Sequence, residues 1–319
     1  MAYAIGTLSA GNQSAYLADK PLFLGRNALA YYNAAPQWRT GGSGTWAETD
    51  TTNSTWPTSL TYDRYQHIAS RPAGSSASLF YLLLDLDSTA GESIDSVAIL
   101  GNNFCSYSGN TVTVTIQIAD DSTFSSNVRT IATWTCNYSA LGSQRLTCWN
   151  LGPSGGAYEV YTSLRYARLR IQGSTNFSSA TPPEVSELIL GRRRQMSAAP
   201  DEPWDPYGFE SDVIDHRGGT GVDTRYTRVE ARRHLRPTWT PSPSDRYSLD
   251  DAATVLALYR DTAHGTRPFL WCEAPYSSPF IAQWMLASGG FSLPYVSVLQ
   301  KSFGLDMMEQ APTVESEVT

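Results

Sequence analysis

Polar and apolar positions alternate most clearly over 111–119, where Val112, Val114, Ile116 and Ile118 are separated by Thr113, Thr115 and Gln117. A period of two places every second side chain on one face, the mark of a half-buried strand. The run 79–86 is continuously apolar but lacks β-branched residues, so periodicity leaves its type open; Asp85 and Asp87 end it. Shorter apolar runs at 94–100, 128–134, 166–171 and 185–190 read as strands. Between them lie turn signals: Gly101-Asn102-Asn103, Gly109-Asn110, Asp120-Asp121 and the Pro/Gly stretch 153–156. Many short strands with regular turns predict a sandwich. Residues 36–78 break the pattern. They are rich in Gly, Ser, Thr, Asn and Trp, and a loop of that length inside a compact domain is usually functional or disordered. Trp38, Trp46, Trp56, Tyr62 and Tyr65 argue against disorder there.

A boundary is expected after Gly191, because 196–208 (MSAAPDEPWDPYG) holds three prolines and few apolar residues, as linkers do. Beyond it, 226–235 reads as a strand, and Pro237, Pro241 and Pro243 interrupt the chain. A helix is expected from Ser248, with Asp251 three residues on in an approximate capping box. Ala252, Val255, Leu256 and Tyr259 would form its apolar face, and Gly265 its stop. Strands are expected at 269–272, 281–286, 291–293 and 296–305. The predicted organisation is therefore mainly β. It has an N-terminal β-sandwich over 1–195, a linker at 196–208, a second β domain with one helix at 209–310, and a flexible acidic tail at 311–319.

Composition sharpens this. Apolar residues make up 41% and charged residues 17%, enough to bury real cores. The net charge is −7, which disfavours nucleic acid as the main bound partner. The charge is unevenly placed: 1–200 holds 13 basic and 13 acidic residues, whereas 201–319 holds 10 basic and 17 acidic. Arg supplies 21 of the 23 cations, against Lys20 and Lys301 alone. That fits either buried interfaces, where the weakly hydrated guanidinium is favoured, or simple genomic bias. The opening MAYAIGTLSAGNQ has no basic start or long apolar run, so no signal peptide is expected, and no membrane span appears.

Chemistry-bearing motifs are scarce. Gly152-Pro153-Ser154-Gly155-Gly156 fits G-x-S-x-G formally, but it sits in a turn without the following helix a nucleophile elbow needs. His67, His216, His234 and His264 share no metal-ligand spacing. Asp120-Asp121 reads as a solvated turn ahead of a calcium ligand pair. No carboxylate pair is placed for glycoside cleavage; Glu48, Asp50 and Asp63 near the aromatic loop lack context. No enzyme activity, metal or cofactor is expected. The four cysteines, 105, 136, 148 and 272, are expected as reduced thiols. Cys136 and Cys148, each next but one or next to a Trp, are the pair to watch, as if on paired strands.

Two resemblances add to this reading. The order Phe80–Leu86, Ile94–Gly101, Val112–Ile118, then Ala167–Ile171 and Glu187–Gly191, resembles the galactose-binding-like (discoidin-like) jelly roll. In that family loops at one end often bind sugars; here they would include part of 36–72 and the turn 105–107. The rings at Trp38, Trp46, Trp56, Tyr62 and Tyr65 would then contact a host glycan or pack against partner proteins, the second being preferred. From Ser248 the chain reads SLDDAATVLALYRDTAHGTRPFLWCEAPYSSPF. This resembles the minor tail protein M family of lambda-like phages, related in fold to siphophage distal tail proteins. It shares a helix ending in His264-Gly265, the strand Phe269-Leu270-Trp271, then Pro275-Tyr276. The long N-terminal β domain departs from the short lambda-type protein.

The second resemblance covers roughly 205–310 and implies a tail-tube-like β-barrel or sandwich that assembles into a ring, a hexamer. Tail tube protein would sit on one side and hub or baseplate proteins on the other. DNA would pass through the lumen without specific binding, since an acidic lumen repels phosphate. The protein would be made in the host bacterial cytoplasm and reside in the virion, at the tail tip. Arg228, Arg232, Arg233 and Arg236 would pair with acids of the neighbouring subunit. The alternative reading is a host-surface carbohydrate-binding adhesion protein.

Overall fold

The computed structural model describes residues 4–6, 22–25, 27, 36–41, 49–61, 69–74, 76–86, 92–94, 96–138, 148–151, 161–191, 193–196, 199–201, 209–217, 223–239, 249–272, 280–292, 295–297, 300–301 and 303–309. The protein is mainly β, with antiparallel sheets and one short α-helix among these residues. No described helix is long and apolar enough to cross a membrane.

Two sheets enclose the larger core. One has six strands, in the order Thr49–Asp50, Gln37–Thr40, Leu79–Asp85, Tyr166–Gly173, Val112–Ala119, Arg129–Cys136. The other has three, with Ser96–Asn102 between Cys148–Leu151 and Val185–Gly191. The period of two in 112–118 is realised: Val112, Val114, Ile116 and Ile118 are buried against Leu82, Leu84, Val97, Ile99, Leu188 and Leu190. The ambiguous run 79–86 is a strand because it is central, flanked on both sides by partners and covered on both faces. Phe80, Leu82 and Leu84 face the main core, while Tyr81 and Leu83 join a second cluster with Ala119 and Phe124. Phe124 reaches that position from a turn in which its own φ is +53°.

The supposed long loop 36–78 contributes two strands and a single turn of 3-10 helix, Thr58–Thr61. It is tied down by bridges from Thr52 to Pro72 and from Ser70 to Val185.

The second unit corrects the expected boundary. Its sheet runs, open-ended among the described residues, from Arg193–Gln195 through Leu22–Leu24, Phe269–Cys272, Phe280–Ser292, Phe303–Glu309 and Asp223–Leu235 to Phe209–Arg217, and Ala4–Gly6 pairs with Phe280–Ser292. Residues 4–6, 22–24 and 193–195 therefore belong to the C-terminal sheet, not to an N-terminal domain over 1–195. The two-sheet unit is inserted between 24 and 193, which are themselves paired, Arg193 opposite Leu24. Asn27 fastens this junction. Its amide donates to Glu187 Oε1 (3.2 Å) and the Leu188 carbonyl (2.9 Å), and its Oδ1 accepts from Leu190 N–H (3.3 Å). The stretch 196–208 is not a loose linker at its start, since Met196 lies in the C-terminal core and Asp201 N–H donates to the Thr238 carbonyl.

The helix spans Leu249–Asp261. Among its described side chains the buried ones are Val255 and Leu258, with Thr262 just beyond, while Leu256 stays 42% exposed. The stripe is thus rotated from the expected one, because the helix packs along one side of a sheet edge whose salt bridge, Arg194 to Asp261 at 3.2 Å, fixes its turn about its axis. Cys136 and Cys148 do not lie on paired strands: Cys136 pairs opposite Val112, and Cys148 opposite Ile99. The Cys136 side chain instead hydrogen-bonds Cys105, whose thiol burial pushes up.

Candidate functional site

One end of the two-sheet unit collects loops from distant parts of the chain. The strand ends Thr40 and Phe80, Leu79 and Gln172, Val112 and Gly173, and Asn102 and Val185 lie opposite each other, so 49–61, 69–78, 103–111 and 174–184 converge there. Close approach of the backbone is enforced at Gly173, where a Cβ would come within 2.6 Å of the Thr175 carbonyl and 2.7 Å of the Asn110 amide. Asn110 occupies that space and binds Thr175 in both directions, its Nδ2 donating to the carbonyl and its Oδ1 accepting from the N–H.

A polar web holds the loops together. Asn103 donates to the Pro182 carbonyl (2.9 Å) and accepts from Glu184 N–H (2.9 Å), and the Tyr107 hydroxyl also donates to Pro182 (2.8 Å). Burial, with the Glu184 charge adding to it, pushes the Tyr107 hydroxyl well above its ordinary pKa, so it stays a donor. Trp38 Nε1–H donates to Ser70 Oγ (2.8 Å), which in turn donates to the Trp56 carbonyl (3.4 Å). This relay fixes the turn that carries Trp56. The Arg71 guanidinium lies 3.9 Å from the Trp56 ring centroid and meets Glu184 at 3.2 Å. The result is a half-buried indole with a cation stacked on it and a carboxylate holding the cation. Such a platform can contact a partner through apolar, cation–π and charged groups together.

The sequence-derived residues divide sharply. Trp38 is fully buried in the main core and is not a contact side chain; its indole N–H finds its partner inside, at Ser70. Trp56 is at the loop end. Trp46, Tyr62 and Tyr65 lie outside the described residues, as do Ser248, Pro275 and the 152–156 motif. Arg71 and Glu184 carried no signal in the sequence; Asn103 and Tyr107 fell in turns the sequence marked, but their partners at Pro182 and Glu184 lie 75 or more positions away.

In the C-terminal unit, Arg228, Arg232 and Arg233 all lie on the Asp223–Leu235 strand. The register sets Arg232 opposite Glu210 and Arg233 opposite Phe209, with Arg228 at an irregularity. Arg236, exposed, is engaged within the chain: its Nε donates to Asp306 Oδ2 (3.3 Å) and its NH2 to His234 Nδ1 (3.3 Å). His234 Nε2 meets the other Asp306 oxygen. His264 and Gly265 have φ of +65° and +83°, and His264 N–H donates to the Tyr259 carbonyl (2.7 Å), closing the helix. The turn leads to Phe269 and Trp271, both buried, with Trp271 4.9 Å and Phe269 6.0 Å from the Phe23 ring. At Asp120-Asp121 the carboxylate of Asp121 is occupied by its own turn. It accepts from the Thr123 hydroxyl, the largest contribution, and from the N–H groups of Ser126 (2.7 Å), Ser125 (3.2 Å) and Thr123 (2.9 Å), which together hold it well below the usual carboxylate range.

No protein-family model matches the chain, and no curated protein matches it. Among solved structures, a match is XRCC1, from a crystal structure of reduced XRCC1 bound to the catalytic domain of DNA polymerase β. It is 15% identical, covers 47% of this chain and 92% of that chain, and has a TM-score of 0.30, too low to support a shared fold.

Proposed function

We propose that this chain is a non-enzymatic structural protein of a siphophage tail tip. Its C-terminal unit, a tail-tube-like β domain, forms a ring that joins the tail tube to the hub or baseplate. The inserted unit, a galactose-binding-like jelly roll, projects from that ring. The observation that carries the reading is the segment 249–272. Here a helix, a left-handed turn at His264-Gly265 and the strand Phe269–Cys272 follow in the order of the tail-protein resemblance. The rings of that strand seal the C-terminal core against Phe23, which lies on the far side of the insertion. The net charge of −7 on 201–319 suits a lumen through which DNA must slide.

A second reading, host adhesion through a surface glycan, is favoured by the Trp56–Arg71–Glu184 platform. Cryo-microscopy of virions decides between scaffold and other roles: the chain is expected as a closed ring, a hexamer, on the tail axis. Density away from the axis, or fewer than three copies, rejects the ring. Phage carrying Trp56→Ala separates the uses of the platform. Defective particles indicate contact with tail proteins, whereas normal particles that adsorb poorly indicate the host glycan.

A further inference from the structure

Cys105 and Cys136 are distant in the chain and side by side in the fold. Cys105 sits in the short 3-10 turn Phe104–Ser106, at the loop end of the two-sheet unit. That turn is pinned at both ends: Ser106 N–H donates to the Asn103 carbonyl (2.9 Å), and Phe104 N–H to Asn102 Oδ1 (3.2 Å). Cys136 is the last residue of the strand Arg129–Cys136 and stands opposite Val112. Val112 opens the strand that follows loop 103–111, so the register returns Cys136 to the place where that loop ends. Both cysteines are free thiols buried in the main core, together with Phe104, Val112 and Trp134. Their side chains hydrogen-bond each other. Such a contact places the two sulfurs where rotation about each Cα–Cβ bond can bring them to bonding distance.

The surroundings give the pair access and consequence. The strand Arg129–Cys136 ends its sheet and pairs, among the described residues, with Val112–Ala119 alone. Thr135 and Asn137, on either side of Cys136, are exposed, and so is Tyr138. A strand end at a sheet edge opens locally at low cost, which lets a small oxidant reach thiols that the closed core covers. On the other side, loop 103–111 carries Asn103 and Tyr107, which hold 174–184 through Pro182 and Glu184. Glu184 in turn holds Arg71 over Trp56. A covalent tie between the two cysteines would anchor this loop cluster to the edge strand.

We infer that Cys105 and Cys136 are a redox-sensitive pair, thiols in this structure and joined as a disulfide when the chain meets a small-molecule disulfide, with the loop end of the inserted unit stiffened as the result. The step balances. The thiolate of one cysteine attacks a sulfur of the small disulfide and expels one thiolate; the second cysteine attacks the mixed disulfide and expels the other. Two protein thiols are oxidised, the small disulfide is reduced to two thiols, and the protons released by the cysteines pass to them. Burial pushes the Cys105 thiol up, against a smaller opposing effect of its bond to Cys136, so exchange is slow at neutral pH and quickens as pH rises. The inference is independent of the tail-tip reading, which supplies only an occasion for it, release from a reducing cytoplasm.

To test it, the full chain, reduced and desalted, is incubated with oxidised glutathione. Remaining thiols are blocked in denaturant and counted, and the peptides are mapped by mass spectrometry without reduction. Of the four cysteines, two are expected to remain as thiols, and the peptides holding Cys105 and Cys136 are expected to be joined, lighter by two hydrogens. The thermal transition should rise by several degrees and fall back on reduction. The amides of 103–111 should exchange severalfold more slowly in the oxidised form. Four remaining thiols, glutathione adducts without a link, or a link through Cys148 or Cys272 overturn the pair. A link between 105 and 136 that leaves exchange in 103–111 unchanged overturns the stiffening. Cys105→Ser is expected to abolish both the link and the thermal gain, and the peptide map of the unaltered chain decides if that variant does not fold. None of these outcomes bears on the ring, which cryo-microscopy of virions tests separately.

Discussion

The two units solve the problem of burying a sheet differently. The inserted unit closes on itself: two sheets face each other, and twenty-four buried residues from both form one continuous cluster. The C-terminal unit draws its core from three separated stretches of chain, with Phe23 before the insertion, Met196 just after it, and Leu235–Met307 beyond. Its described core is smaller, ten residues, and one of its two 13-residue strands, Asp223–Leu235, joins the main sheet only at His234 and Leu235. A unit whose core is complete can sit at the periphery and offer loops to partners.

The largest effect expected from this contrast is at Trp38. Trp38→Ala removes a fully buried indole and orphans its bond to Ser70, at a cost of about 3–5 kcal/mol. Thermal unfolding should show it; a loss below about 1 kcal/mol would return Trp38 to the surface loop where its neighbours in sequence first placed it. Phe23→Ala should cost slightly less, about 3 kcal/mol, and its effect should fall in the other unit. Hydrogen exchange is expected to speed in the Phe269–Cys272 strand and stay unchanged in Leu79–Asp85. The reverse pattern would mean that 22–24 belong with the insertion after all.

Arg194→Ala tests how the helix is held. Asp261 is 6% exposed in its side chain, so losing its cation strands a buried carboxylate and should cost about 2 kcal/mol by chemical denaturation. No measurable change would show that the helix is fixed by Val255 and Leu258 alone. Trp56→Ala should cost about 1 kcal/mol or less, because the indole is half exposed and its stacked cation is partly solvated. A loss as large as that of Trp38 would place Trp56 in the core and remove it as a contact.

The smallest effect concerns acid. Asp50 is held below its ordinary value of 3.8, first by the Thr52 N–H, and Asp121 is held below it by Thr123 and the turn N–H groups. A depressed folded pKa stabilises above the unfolded value, and that contribution is lost as pH falls through the folded value. Stability of the inserted unit should therefore decline slightly below pH 4, and Asp121→Asn should flatten the decline. An unchanged acid slope in that variant would show that the turn does not sense its carboxylate.

Local pattern determined the mainly β character, the strand at 112–118 and the left-handed turn at Gly265, which follows a helix that ends at Asp261. These depend on neighbours one to four residues apart, a range over which backbone geometry dictates contact. What the sequence could not state is which segments meet across the insertion. Leu22–Leu24 looks like the start of the first domain because chain order is all a sequence shows, yet it completes the second. Trp38 and Trp56 look equivalent in a loop rich in Gly and Ser, but a bridge from Ser70 to Val185 buries one and leaves the other at the surface. Arg71 and Glu184 form a pair only because the 3-stranded sheet brings residue 185 beside residue 70. Long-range pairing decided each of these, since burial and partnership are properties of space, and only the folded chain brings distant residues into it.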